Sequence, residues 1–185
     1  MKTVLLTSLS ADHDPDAVSS IERVLRDSAD DLRVLALADT AIGACLACGN
    51  CNAAGRCVLR DEMTEILPEI ASCDLLVLAT SIVFGVHHPL LKLAVDRLMP
   101  LGGGRFAVRH GEMHHAPRHP KRFALVGIGL LEASAAPGEA ETFERLIGRH
   151  AINLACSDHV AVVVRGDADA KGAVRSGLAR LGVDR

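Results

Sequence analysis

Short apolar runs and amphipathic stretches alternate along the chain. The run TVLLTS (3–8) precedes a stretch in which Val18, Ile21, Val24 and Leu25 recur at helical spacing, with Asp16 placed to cap the helix. LRVLALAD (32–39) predicts a second strand, and DEMTEILPEIASC (61–73) a helix with an acidic first turn. DLLVLATS (74–81) is apolar nearly throughout, as strands covered on both faces of a parallel sheet are. HPLLKLAVDRLM (88–99) sets Leu90, Leu91, Ala94, Val95 and Leu98 on one stripe. RFALVGIGL (122–130) and HVAVVV (159–164) predict two more strands, each followed by a helix, 139–156 and 168–182. Between the helix at 88–99 and the strand at 122–130, residues 101–120 show no clear periodicity and predict an irregular excursion. Strands alternating with helices through right-handed crossovers imply an α/β doubly wound parallel sheet. No repeat, low-complexity tract or linker divides residues 1–185, so a single domain is expected.

At 185 residues the chain can bury a core without disulfides, so its size does not account for six cysteines. Four of them fall in CLACGNCNAAGRC (45–57). The N-terminus has an apolar run too short for a signal peptide or a membrane span, which predicts a cytoplasmic protein without a membrane partner. In a reducing compartment clustered cysteines are metal ligands or redox thiols more often than disulfides. The net charge of −3, without a run of five like charges, argues against a nucleic-acid partner. Aromatic residues are four Phe, with no Tyr or Trp, so a flat cofactor would be held by backbone, aliphatic groups and a Phe.

The spacing of Cys45, Cys48 and Cys51 lets one short turn aim three sulfurs at a common point, with Cys57 returning from the other side. The repeated two-residue gap also occurs in ferredoxin-type runs that hold a [4Fe-4S] cluster. Zinc is the nearest competitor, although structural zinc pairs usually come as two separated CxxC hairpins. Reactive thiols and a loop with no metal are the other readings. Cys73 and Cys156 lie in apolar helix-end contexts and are expected to be inert. His110, His114, His115 and His119 are expected in a surface loop, since no cysteine or carboxylate pattern completes a ligand set around them.

The stretch CDLLVLATSIVFGVHHPLLKLAVDRLMP (73–100) resembles the flavodoxin-like NAD(P)H-dependent FMN reductases. Val77 and Leu78 match their strand, Phe84 and Gly85 their loop, and Leu91, Lys92, Asp96 and Arg97 their helix. The cysteine run followed by DEM and EI is similar to the iron-sulfur flavoprotein branch. The resemblance covers roughly residues 1–130. It implies a flavodoxin-like five-stranded sheet in the order 2-1-3-4-5, with FMN where loops 8–17, 80–88 and 127–133 meet. The residues it marks for flavin contacts are Ser8, Ser10, Ser81, Ile82, Val83, Phe84, Gly85, His88, Gly127 and Gly129. The metal set is Cys45, Cys48, Cys51 and Cys57, in a cysteine loop spanning 43–60. NAD(P)H is the implied donor, a redox protein or small molecule the acceptor, and a homo-oligomer the assembly.

The first loop departs from that pattern. The family has a loop of the form GSPRxxGNT, in which small and basic residues meet the phosphate at a helix N-terminus. Here LSADHDPDA (9–17) supplies Leu9, Asp12, Pro15, Asp16 and Ala17 at the corresponding places. Asp12, Asp14 and Asp16 would repel a phosphate, unless Asp16 merely caps the helix and the others face water. Three functions remain open at this point: an iron-sulfur flavoprotein-like oxidoreductase, a flavin or quinone reductase without a cluster, and a flavin-free module with a structural metal loop.

Overall fold

The structure is a computed structural model that describes residues 1–166 and 168–183; residue 167 and the last two residues of the expected domain lie outside the described residues. Five parallel strands form the main sheet: β1 (Lys2–Thr7), β2 (Asp31–Ala36), β3 (Leu75–Val83), β7 (Ala124–Leu131) and β8 (His159–Arg165). Their spatial order is β2-β1-β3-β7-β8, the 2-1-3-4-5 order expected for a flavodoxin-like fold. Side chains alternate between two cores. Val4, Leu6, Leu76 and Leu78 meet α3 (Glu62–Ser72), α4 (Pro89–Asp96) and α5 (Glu139–Leu154) on one face. Leu5, Leu75, Val77 and Ala79 meet α1 (Pro15–Ser28) and α6 (Ala170–Ala179) on the other. Both faces of β3 are thus covered along Leu75–Ala79, which is why that part of its sequence is apolar. Among the described residues no helix is long and apolar enough to cross a membrane.

Two expectations about local structure are corrected. The first helix starts at Pro15, whose fixed φ suits the first helical position and whose missing N–H is no loss there. Asp14 is therefore the capping position, without a side-chain cap bond, and Asp16 falls in the first turn. The stretch 101–120 is not irregular: β5 (Gly102–Arg109) and β6 (Glu112–Pro117) pair as an antiparallel hairpin. Its turn is His110–Gly111, both at positive φ (52° and 79°), the conformation that closes two-residue hairpins. The strand β4 (Val86–His87) folds back on β3 around Phe84 and Gly85, again both at positive φ. The loop 80–88 is in consequence a tight hairpin.

Gly127 and Gly129 lie on β7 beneath α5. A Cβ on Gly127 would stand 2.3 Å from Ile147 Cδ1, and one on Gly129 2.6 Å from Ile82 and 2.8 Å from Phe143. These glycines let the helix and the β3 hairpin approach the sheet closely. Gly129→Ala is expected to destabilise the fold by about 1–3 kcal/mol through overpacking, as urea denaturation would measure.

Candidate functional site

The cysteine loop leaves β2 through a 3₁₀ turn (Leu37–Asp39), runs irregularly to Gly49, and then makes one helical segment, α2 (Asn50–Ala54), which carries Cys51. Gly55 stops α2 at φ 71°, a left-handed position that side chains other than glycine occupy at a cost. Two arginines from distant elements hold the loop. Arg118 donates to the carbonyls of Cys51 and Asn52, both at 3.0 Å, and to Gly102 at 3.2 Å. Arg97, at the C-terminal end of α4 and only 1% exposed, makes a two-pronged ion pair with Asp61 at 2.7 and 2.8 Å.

Arg97 also donates to the Gly43 carbonyl at 2.7 Å and to Thr64 Oγ1 at 3.0 Å. Asp61 in turn accepts from the Gly43 N–H at 2.9 Å and caps α3 by accepting from Thr64 N–H at 3.2 Å. Residues 43 and 61, which bracket all four loop cysteines, are thereby tied to one buried guanidinium. The hydrogen bonds from Arg97 are the main cause that holds the Asp61 carboxyl down to about 2.

Cys45, Cys48, Cys51 and Cys57 all line one hollow of about 310 Å³, walled by Leu46, Val58, Leu59 and Met99. Cys51 is pushed above the ordinary thiol range, first by its partial burial and then by the neighbouring Cys45, Cys57 and Cys48. Among the described residues no three His, Cys, Asp or Glu side chains are drawn together closely enough to hold a metal ion, so the sulfurs share a cavity rather than a common point. The donor set nonetheless fits a thiophilic group: four thiols, apolar walls and no carboxylate among the lining residues. Cys73 and Cys156 are different. Burial pushes both thiols up to about 12, which keeps them protonated and inert.

A second cavity, of about 870 Å³, opens at the carboxyl ends of β3, β7 and β8, the position where this fold class takes ligands. Of the ten residues marked for flavin contacts, Ser81, Ile82 and Val83 line it. Phe84 is 90% exposed at the hairpin tip. The Gly85 N–H donates to Glu139 Oε2 at 3.0 Å, toward α5. His88 caps α4, its Nδ1 accepting from Leu90 N–H, while its own N–H donates to the buried Thr80 hydroxyl at 2.9 Å. The Ser8 hydroxyl donates to that same Thr80 oxygen at 2.9 Å, and Ser10 Oγ accepts from Asp12 N–H.

The first loop does not fit a phosphate. Several of its amides are spent internally: Leu9 N–H donates to Thr7 Oγ1, and those of His13 and Asp14 to the Ser10 carbonyl at 3.1 and 2.8 Å, which leaves the Asp16 and Ala17 amides of the uncapped first turn. Pro15 has no N–H to offer. Asp14, Asp16, Glu132 and Asp169 stand around the cleft, and among its described lining residues there is neither lysine nor arginine.

The histidines form a cluster that the sequence did not disclose. His87, 5% exposed, sets its Nε2 3.1 Å from Nε2 of His150, with the rings stacked at 5.3 Å. His114 is not on the surface as expected but 8% exposed, its Nδ1 3.0 Å from Asn153 Oδ1, because β6 packs that face against α5. His115 packs against Phe106 with the rings tilted, whereas His110 and His119 are exposed. His114, His115 and His150 line a cavity of about 550 Å³ that shares Cys45, Ala47 and Met99 with the thiol hollow.

Sheet order and ligand cleft define a flavodoxin-like protein. No family model matches the chain. It is 33% identical over 67 residues to an iron-sulfur flavoprotein of Methanocaldococcus jannaschii, covering 36% of this chain and 35% of that protein. It is 30% identical over 78 residues to an iron-sulfur flavoprotein of Archaeoglobus fulgidus, covering 42% and 36%. The matched stretch is about a third of the length of these curated relatives. In structure it resembles an FMN-dependent NADH-azoreductase of Bacillus anthracis solved with FMN, at TM-score 0.63 and 14% identity over 98% of this chain and 99% of that one. The solved structures show the flavodoxin-like fold, and the sequences matched over part of their length are iron-sulfur flavoproteins.

Proposed function

We propose that the chain is an oxidoreductase whose loop at Cys45, Cys48, Cys51 and Cys57 holds an iron-sulfur cluster, working with a flavin ring in the sheet-end cleft. The observation that carries this reading is four thiols lining one apolar hollow, in a chain that matches iron-sulfur flavoproteins. A bound cluster supplies one-electron transfer. The chain's own part is to hold the loop: Arg97 and Asp61 pin its two ends, Arg118 fixes the carbonyls beside Cys51, and Met99, Val58 and Leu59 keep the cavity apolar. Loading would release protons, since the ligands are thiolates. NAD(P)H or a protein donor, a redox protein or small-molecule acceptor, and self-association in the cytoplasm belong to the same proposal.

Replacement of each loop cysteine by serine, with purification free of oxygen, tests the ligand set. Each of the four variants is expected to lose iron, sulfide and visible absorption, while Cys73→Ser keeps them. Equal loss in Cys73→Ser, or no loss in Cys57→Ser, would refute the assignment.

The acidic, internally bonded first loop favours a second reading, a flavin-free module with a structural metal loop. Zinc without flavin in the purified protein would select it.

A further inference from the structure

We infer that the sheet-end cleft selects a flavin that lacks the 5′-phosphate, so that riboflavin rather than FMN is its better ligand. The inference rests on the flavin reading above and concerns which flavin the cleft accepts. A phosphate at the mouth of α1 needs free amides and a favourable field. The loop is short of both. His13 and Asp14 N–H groups both turn to the Ser10 carbonyl, Asp12 N–H turns to Ser10 Oγ, and Pro15 replaces the next donor. The Ser8 hydroxyl points inward to Thr80. These contacts are made by the loop with itself and with β3, so a phosphate would have to break them to reach more donors than the first-turn amides of α1.

The field is unfavourable as well. Asp14 and Asp16 lie at the start of α1, on the cleft wall, and Glu132 and Asp169 face them across it. His13 is the one described lining residue able to carry a positive charge, against four carboxylates. A single carboxylate about 8 Å from a dianion lowers affinity about fivefold even at the dielectric of water, and two lower it about thirtyfold. An uncharged ribityl chain meets no such penalty and can donate hydroxyls to the same carboxylates. The remaining wall, Ile82, Val83, Leu130 and Ala133, suits an uncharged ring system.

Equilibrium dialysis of the oxygen-free protein against riboflavin and FMN at low salt tests the inference. Wild type is expected to hold riboflavin at least about tenfold more tightly than FMN. In Asp14→Asn with Asp16→Asn the FMN affinity should rise about thirtyfold while riboflavin changes little, and added salt should narrow the wild-type gap. Asp14 makes no side-chain cap bond, so its replacement leaves the helix start intact, as circular dichroism would verify. FMN bound more tightly than riboflavin by wild type would overturn the inference and leave the flavin reading standing. Binding of neither flavin would overturn both.

Discussion

Replacing Arg97 by methionine is expected to cost about 3–5 kcal/mol of stability, the largest single-residue effect in the molecule outside the thiol set. The substitution keeps the volume of the side-chain stem but leaves the Asp61 carboxylate, 12% exposed, without its counter-charge. It also unpins Gly43, Thr64 and the start of α3 together. Arg97→Lys should fall between, because an ammonium cannot reproduce the two-pronged geometry. Urea denaturation of the three proteins measures the effect. If methionine costs less than about 1 kcal/mol, the guanidinium is not the clasp of the cysteine loop.

The same pair sets an acid limit. Asp61 is held at about 2 against an ordinary 3.8, so its contribution is fully present above pH ~4 and is lost as pH falls toward 2.

Acidification should act earlier on the other side of α4. His87 is buried and His150 half-buried, and loss of solvent is the main cause that lowers both, His150 to about 4 from 6.5. The partner imidazole and Lys92 lower His150 further, while Asp96 opposes them. Folded imidazoles stay neutral where unfolded ones take up protons, so stability is complete above pH ~6.5 and falls as pH drops toward 4. A loss on the order of 3 kcal/mol by pH 4 is expected. The double variant His87→Phe with His150→Leu should flatten this limb. Denaturation midpoints followed from pH 7 to 4.5 would show it, and identical slopes for wild type and variant would contradict it.

The sheet was legible because each of its strands advertises itself. β3 is apolar from Leu75 to Ala79, where both faces are covered, and α1, α3 and α5 repeat their apolar residues at helical spacing. The β5–β6 hairpin was not legible. Its outward side carries Phe106, Val108 and Met113, all more than 60% exposed, so apolar and polar positions do not sort into a buried and a solvated face. Its turn uses histidine where asparagine or aspartate usually signals a hairpin.

Of the candidate site, the thiol set could be read from spacing alone, because its four members lie within 13 residues of sequence, Cys45 to Cys57. Arg97 could be matched but not assigned a role, since its partner Asp61 is 36 residues away. The His87–His150 contact spans 63 residues and has no local signature. The departures of the first loop were visible as acidic residues, but only the structure shows that the amides of Asp12, His13 and Asp14 are already bonded.

The central claim is that the four thiols hold an iron-sulfur cluster. Iron, acid-labile sulfide and zinc per chain, determined on protein expressed and purified without oxygen, test it most directly. About four irons and four sulfides per chain are expected for a [4Fe-4S] cluster, with zinc absent. One zinc per chain with no sulfide, or thiols that all titrate free in metal-free protein, would contradict it.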